Sequence, residues 1–189
     1  LFRSNVLLIH AAGNDAADVD TGGNFPNPDF KNSTERAENW ITVGASSDPP
    51  AEEGFRSYVA SFSNYGKKEV DVFAPGTRIY STLPGGNKYG NLDGTSMAAP
   101  VVTGVAALIL EYFPTLTAAD VKYCIEKSVY VPTVKAKKPG TDNQLVNFSD
   151  LSESGGIINA YGAVKLAYLM SDPKKKEILK STLRNGGIK

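Results

Sequence analysis

Residues 101–110 are apolar at every position but Thr103 and Gly104, and they follow directly on a small, glycine-led turn, Gly94-Thr95-Ser96-Met97-Ala98-Ala99-Pro100. A run this apolar calls for cover on all sides, so it predicts a central helix from Ser96 to about Tyr112 inside a layered fold. Pro100 is tolerable there because it lies near the first turn, where few backbone bonds are lost, and Pro114 stops the helix. Ser96 then sits where a loop becomes a buried helix. Amides of the first turn lack intrahelical acceptors and the helix dipole is positive at that end, so negative charge developing beside Ser96 is stabilised. A nucleophilic serine belongs in such a place.

The chain before this turn reads as short strands. The apolar run from Val6 to Ile9, followed by Ala11-Ala12-Gly13-Asn14-Asp15, fits a buried parallel strand whose carboxyl end opens into a loop. In open α/β sheets, sites collect at that edge. Residues 40–45 form a second strand, 59–64 look extended, 70–74 alternate as a half-buried strand would, and 78–82 are a further strand. After the central helix, Thr117-Ala118-Ala119-Asp120 has the form of a capping box and opens a second helix to about Ser128. Residues 129–154 read as a long loop, and a last helix runs from Ala160 to about Met170. Strands and helices in this order argue for an α/β layered fold.

With 20 basic and 20 acidic residues the formal charge is zero, which favours neither nucleic acid nor an anionic membrane as partner. No apolar run reaches the roughly 18 to 20 residues of a membrane span. Cys124 is the single cysteine, which excludes an internal disulfide and a cysteine-based zinc site, and it reads as a small core residue. A serine needs a base to become a nucleophile, and the base needs an orienting carboxylate. The single histidine, His10, ends a strand pattern and reads as a core or edge histidine rather than as that base. Asn14 is the better functional candidate: its amide is a neutral donor that can face an oxyanion from a strand's carboxyl end. Taken alone, such a stretch is most often just a turn.

Gly94-Thr95-Ser96-Met97-Ala98-Ala99-Pro100 resembles the nucleophile motif of the subtilisin-like serine proteases. Ala11-Ala12-Gly13-Asn14 is similar to that family's oxyanion segment, and Ile41-Thr42-Val43-Gly44-Ala45, Phe62-Ser63-Asn64-Tyr65-Gly66, Ala74-Pro75-Gly76 and Gly156-Ile157-Ile158-Asn159 resemble later landmarks in the family's order. The resemblance implies a subtilisin-like three-layer α/β fold, with a mostly parallel sheet and a buried central helix after the nucleophile. The catalytic domain would be present in part, as its carboxyl-terminal portion over residues 1–170, followed by a basic, helical tail over 171–189. It implies Ser96 as nucleophile, Asn14 with the Ser96 N–H as oxyanion hole, Ala11, Ala12 and Gly13 as walls of the substrate pocket, and a cis X-Pro bond beside that pocket at Phe25-Pro26, with Asn27-Pro28 as the competing position. The family orders its triad Asp, His, Ser, and no His-Gly-Thr-His-like motif occurs here, so both other members are expected upstream of Leu1.

The expected function is therefore a secreted or cell-envelope serine endopeptidase acting through an acyl-enzyme on Ser96, with this chain inactive by itself. Expected partners are a peptide or protein substrate and the upstream part of the same domain. No cofactor is required for the chemistry; structural calcium is compatible with the family, but no ligand set stands out. A non-catalytic pseudo-protease that binds peptides is the alternative. A different serine hydrolase is disfavoured because Gly94-Thr95-Ser96-Met97-Ala98 lacks the final glycine of a Gly-x-Ser-x-Gly elbow.

Overall fold

Parallel pairing organises the structure, a computed structural model that describes residues 5–48, 58–172 and 174–175. Strands β1 (Leu8–Ala11), β2 (Trp40–Ser46) and β3 (Val72–Pro75) form a sheet of order β1-β2-β3 with both pairs parallel. Leu8 lies opposite Trp40 and Val43 opposite Val72. Side chains alternate across a strand, so the register sorts them between two cores. Ile41, Val43, Ala45, Val72 and Ala74 enter the larger core. Ala12, Val70 and Phe73 enter the smaller one, with Ala136, Phe148 and Leu151. Gly44 is required at its place because a Cβ there would lie 2.5 Å from the Phe73 ring.

Helix α1 (Val19–Gly22) is a single turn in the loop after β1. The larger core is closed by α2 (Thr95–Tyr112), α3 (Ala118–Lys127) and α4 (Ala160–Met170); α2 packs on all three strands and on both other helices. The capping box at α3 forms as expected, with Thr117 and Asp120 exchanging side-chain-to-backbone bonds. Cys124 is fully buried, 3.6 Å from the Met170 sulfur, and burial pushes its thiol up to about 12, so it behaves as a core residue. The architecture is α/β.

Several elements differ from the sequence expectation. Strand β1 is half-buried, because among the described residues it is the sheet's edge and has a neighbour on one side. Residues 70–74 are fully buried and not half-buried, since β3 is covered on both faces. Residues 59–64 form a turn with one bridge, Ser46 to Val59, because the Ser63 and Asn64 side chains take over backbone partners that a ladder would supply. A hairpin of β4 (Ile79–Leu83) and β5 (Lys88–Leu92) precedes α2, and the 129–154 segment holds a second one, β6 (Lys135–Lys137) with β7 (Leu145–Asn147).

Helix α2 also departs from expectation. It buries Ala98, Val102, Val105, Ala106 and Ile109, while Thr103, Gly104, Ala107 and Leu108 are exposed. Its 18 residues have a mean hydropathy of 1.4, long and apolar enough to cross a membrane by length and composition alone, although it packs here as a core helix. Apart from residues 48, 174 and 175, the expected turn over 48–54 and tail helix past 173 lie outside the described residues.

Phe73 packs edge-on against Phe148 at 5.2 Å with no solvent exposure. Phe73→Ala leaves a cavity against Gly44 and is expected to cost about 3–5 kcal/mol, read as a lower urea midpoint.

Candidate active site

Successive hydrogen bonds carry the chain from the sheet to the turn before α2. The Gly76 N–H donates to Ser46 O at 3.1 Å, and the Gly94 N–H donates to Gly76 O at 2.8 Å. The carboxyl ends of β2 and β3 thereby fix where Gly94 lies. Gly76 must lack a side chain, since a Cβ would sit 2.6 Å from Ala45 Cβ and 2.8 Å from Gly94 O.

Asn14 comes to the same point from the end of β1. Its Oδ1 accepts from the Thr95 N–H at 2.9 Å and from the Thr95 hydroxyl at 3.0 Å. The Gly13 N–H donates in turn to Thr95 Oγ1 at 3.2 Å. Thr95 is buried, so this is a low-dielectric lock on the amide's orientation. With Oδ1 committed, Nδ2 is the end of the amide left to face outward. A Cβ built on Gly94 would lie 3.5 Å from Asn14 Nδ2 and 3.6 Å from the Ser96 nitrogen, so both nitrogens border the same space over Gly94. Asn14 and Ser96 are both exposed, at the amino end of α2. Two N–H donors beside a serine hydroxyl can bind an oxyanion on a carbon that the serine attacks.

The remaining candidates fall around this point. Ala11 is half-buried and ends β1, Ala12 is fully buried, and Gly13 takes φ +101°, where a side chain would be strained. The Ala12 carbonyl accepts from Asn24 Nδ2 at 3.1 Å and Asn64 Nδ2 at 2.9 Å. Phe25-Pro26 is cis, and Phe25 is 92% exposed. His10 is elsewhere: its ring packs on Trp40 at 5.3 Å, and burial lowers its pKa. It pairs with Thr42, which alternates with the Ile41 and Val43 side chains that face α2, so strand periodicity turns it away from the helix that Ser96 heads. Sequence reasoning overlooked the positions of Thr95 and Asn64. Both stand inside the motifs at 94–100 and 62–66, but their partners lie about eighty and fifty residues away, beyond the reach of local pattern.

A second polar group lies at the opposite, amino-terminal end of the strands. Asp71 Oδ2 accepts from the Thr42 N–H at 2.6 Å, while Lys122 Nζ donates to Asp71 Oδ1 and to the Trp40 carbonyl, both at 2.7 Å. Glu126 lies 3.3 Å from the same ammonium. Asp71, Glu126 and Glu153 offer oxygens within 4.8 Å of one another, a set that spans three segments and is invisible in the sequence. A divalent cation there would have to displace the Lys122 ammonium, so these residues do not fit a metal as they stand. Burial lowers the Lys122 pKa, but the Asp71 and Glu126 charges outweigh it and the net shift is upward. Burial pushes Glu126 up to about 7 against the attraction of Lys122.

The family model described as "Subtilase family" matches residues 2–163. The chain is 37% identical over 151 residues to "Subtilase-type proteinase RRT12" of Saccharomyces cerevisiae, covering 77% of this chain and 29% of that protein. It is 56% identical over 69 residues to "Subtilisin E" of Bacillus subtilis, covering 36% of this chain and 18% of that one. Among solved structures, a chain from "Structural basis of subtilase cytotoxin SubAB assembly" is similar with a TM-score of 0.65 and 25% identity over 87% of this chain and 50% of that chain. This chain therefore spans less than a third of those two curated relatives and half of that solved chain.

The acid cluster sets a pH dependence. Folded Glu126 keeps a proton up to about 7, while the unfolded chain releases it near 4.5, so its contribution is complete below 4.5 and declines as pH rises towards 7. Glu126→Gln is expected to raise the melting temperature at pH 8 relative to wild type and leave it nearly unchanged at pH 4. Lys122→Met strands the buried Asp71 carboxylate and is expected to cost about 3–5 kcal/mol, read by urea unfolding at pH 7.

Proposed function

We propose that the chain, which belongs to the subtilase family, supplies the nucleophile and the oxyanion donors of a serine endopeptidase. The observation that carries this reading is that Asn14 Nδ2 and the Ser96 nitrogen border the same space over Gly94, with Thr95 holding the other end of the Asn14 amide. Ser96 Oγ attacks the carbonyl carbon of the scissile peptide bond while its proton passes to a histidine base. Negative charge builds on the carbonyl oxygen, where both donors meet it, and collapse expels the amine and leaves an acyl-enzyme that water hydrolyses. The donors stand in place before reaction, so little reorganisation opposes the step. Ala11, Ala12 and Gly13 back the pocket for the substrate side chain.

The base has to come from outside this chain, because the single histidine is turned to the other face of the sheet. Among the described residues β1 has an unpaired edge and α2 exposes Ala107 and Leu108, and this surface would receive the base. An upstream segment of the same domain fits there, bringing Asp and His and adding strands to the edge. Peptides or proteins are the substrates, and the protein acts after export to the cell envelope or beyond.

In the full-length protein a fluorophosphonate probe is expected to label Ser96 and to miss Ser96→Ala; labelling that survives the substitution identifies another nucleophile. No labelling and no hydrolysis in the full-length protein would mark a peptide-binding pseudo-protease. Asn14→Ala is expected to lower kcat by about 10²–10³ with KM little changed, a range measured within this same family. Residues 1–189 alone are expected not to hydrolyse a chromogenic peptide.

A further inference from the structure

The turn that carries Asn14 is held from a second side, by a side chain that does not reach the reacting atoms. Asn64 Oδ1 accepts from the Asp15 N–H at 3.0 Å and the Ala17 N–H at 2.9 Å. Its Nδ2 donates to the Ala12 carbonyl at 2.9 Å and, more weakly, to Asp15 Oδ2 at 3.4 Å. Its backbone N–H donates to Gly13 O at 2.9 Å. One residue therefore binds backbone groups on both sides of Asn14, at 12, 13, 15 and 17. Asn64 is 5% exposed, so these bonds are shielded from competing water.

We propose that Asn64 is a positioning residue for Asn14, its amide spanning the 12–17 turn so that Asn14 Nδ2 stays aimed at the space beside Ser96. The inference rests on Asn14 acting as an oxyanion donor. Thr95 fixes the rotation of the Asn14 amide, and Asn64 fixes the backbone from which that amide projects. The two locks meet at Gly13, whose N–H goes to Thr95 and whose carbonyl goes to Asn64. Gly13 also has no room on the Asn64 side, since a Cβ there would lie 2.4 Å from Asn64 Nδ2. The residue type follows from the partners: two N–H groups need one acceptor, the Ala12 carbonyl needs a donor, and a planar amide presents both at a fixed separation. Aspartate keeps the shape and the acceptor but sets a carboxylate oxygen against the Ala12 carbonyl.

The test is a double-mutant cycle in the full-length protein, with kcat and KM for a peptide substrate, affinity for a peptide boronic acid, and active-site titration with a fluorophosphonate. Asn64→Ala is expected to lower kcat by about 10- to 100-fold, with KM within a few fold, and to weaken the boronic acid in proportion to kcat/KM. In an Asn14→Ala background the same substitution is expected to change kcat by less than about twofold, because the donor it positions is gone. An equal loss in both backgrounds, or no loss in either, overturns the proposal. Where Asn64→Ala titrates as unfolded, Asn64→Asp takes its place in the cycle with the same expected and overturning outcomes. A wild-type kcat in Asn14→Ala itself instead removes the oxyanion reading on which the proposal stands, so the two failures are distinguishable.

Discussion

Strand β2 is buried along its whole length, and a parallel strand in that position needs both faces covered and both sides paired. The rest of the structure answers that demand. On one face Ile41, Val43 and Ala45 meet α2. On the other, Gly44 leaves a slot that the Phe73 ring fills, and Phe148 and Leu151 close over it. Parallel pairing also puts the carboxyl ends of all three strands at one edge, so Asn14, Ser46 and Gly76 arrive together without any local signal in the chain that joins them.

At that edge the geometry is fixed by hydrogen bonds of long sequence separation. Gly76 and Gly94 hand the chain from β2 to α2 by backbone bonds, at positions where a methyl group would collide or strain. Thr95 and Asn64 then hold the Asn14 turn from opposite sides. Both holding side chains, Thr95 and Asn64, are buried, so the bonds they make are sheltered from water and limit the freedom of the turn. Among the described residues, one side of β1 and the exposed half of α2 around Ala107 and Leu108 are left uncovered.

The amino-terminal edge of the sheet uses polar chemistry for a different end. Asp71 ties the β2 backbone through Thr42, and Lys122 ties α3 to both Asp71 and Trp40. An ammonium on a helix thereby satisfies oxygens that would otherwise be stranded between strand ends. The arrangement couples α3 to the sheet, and Glu126 beside it gives that coupling a dependence on pH.

Much of this was legible in the amino-acid sequence. The central helix, the capping box at Thr117, the strand at 40–45, and the α/β class all follow from local periodicity and end signals, which are properties of neighbouring residues. The family followed from seven residues around Ser96 and the order of shorter motifs. The rest was decided only by tertiary structure. Residues 59–64 look like a strand in isolation, and they became a turn because Ser63 and Asn64 found partners in β2 and in the 12–17 turn. The acids at 71, 126 and 153 are scattered in sequence and meet only when α3 and the 153 segment pack beside β3. The convergence of Asn14 and Ser96, likewise, exists because strand register and two close-packed glycines bring them together. A chain's local preferences determine its elements, but which side chains face one another is set by register and packing, and those depend on contacts that no local window contains.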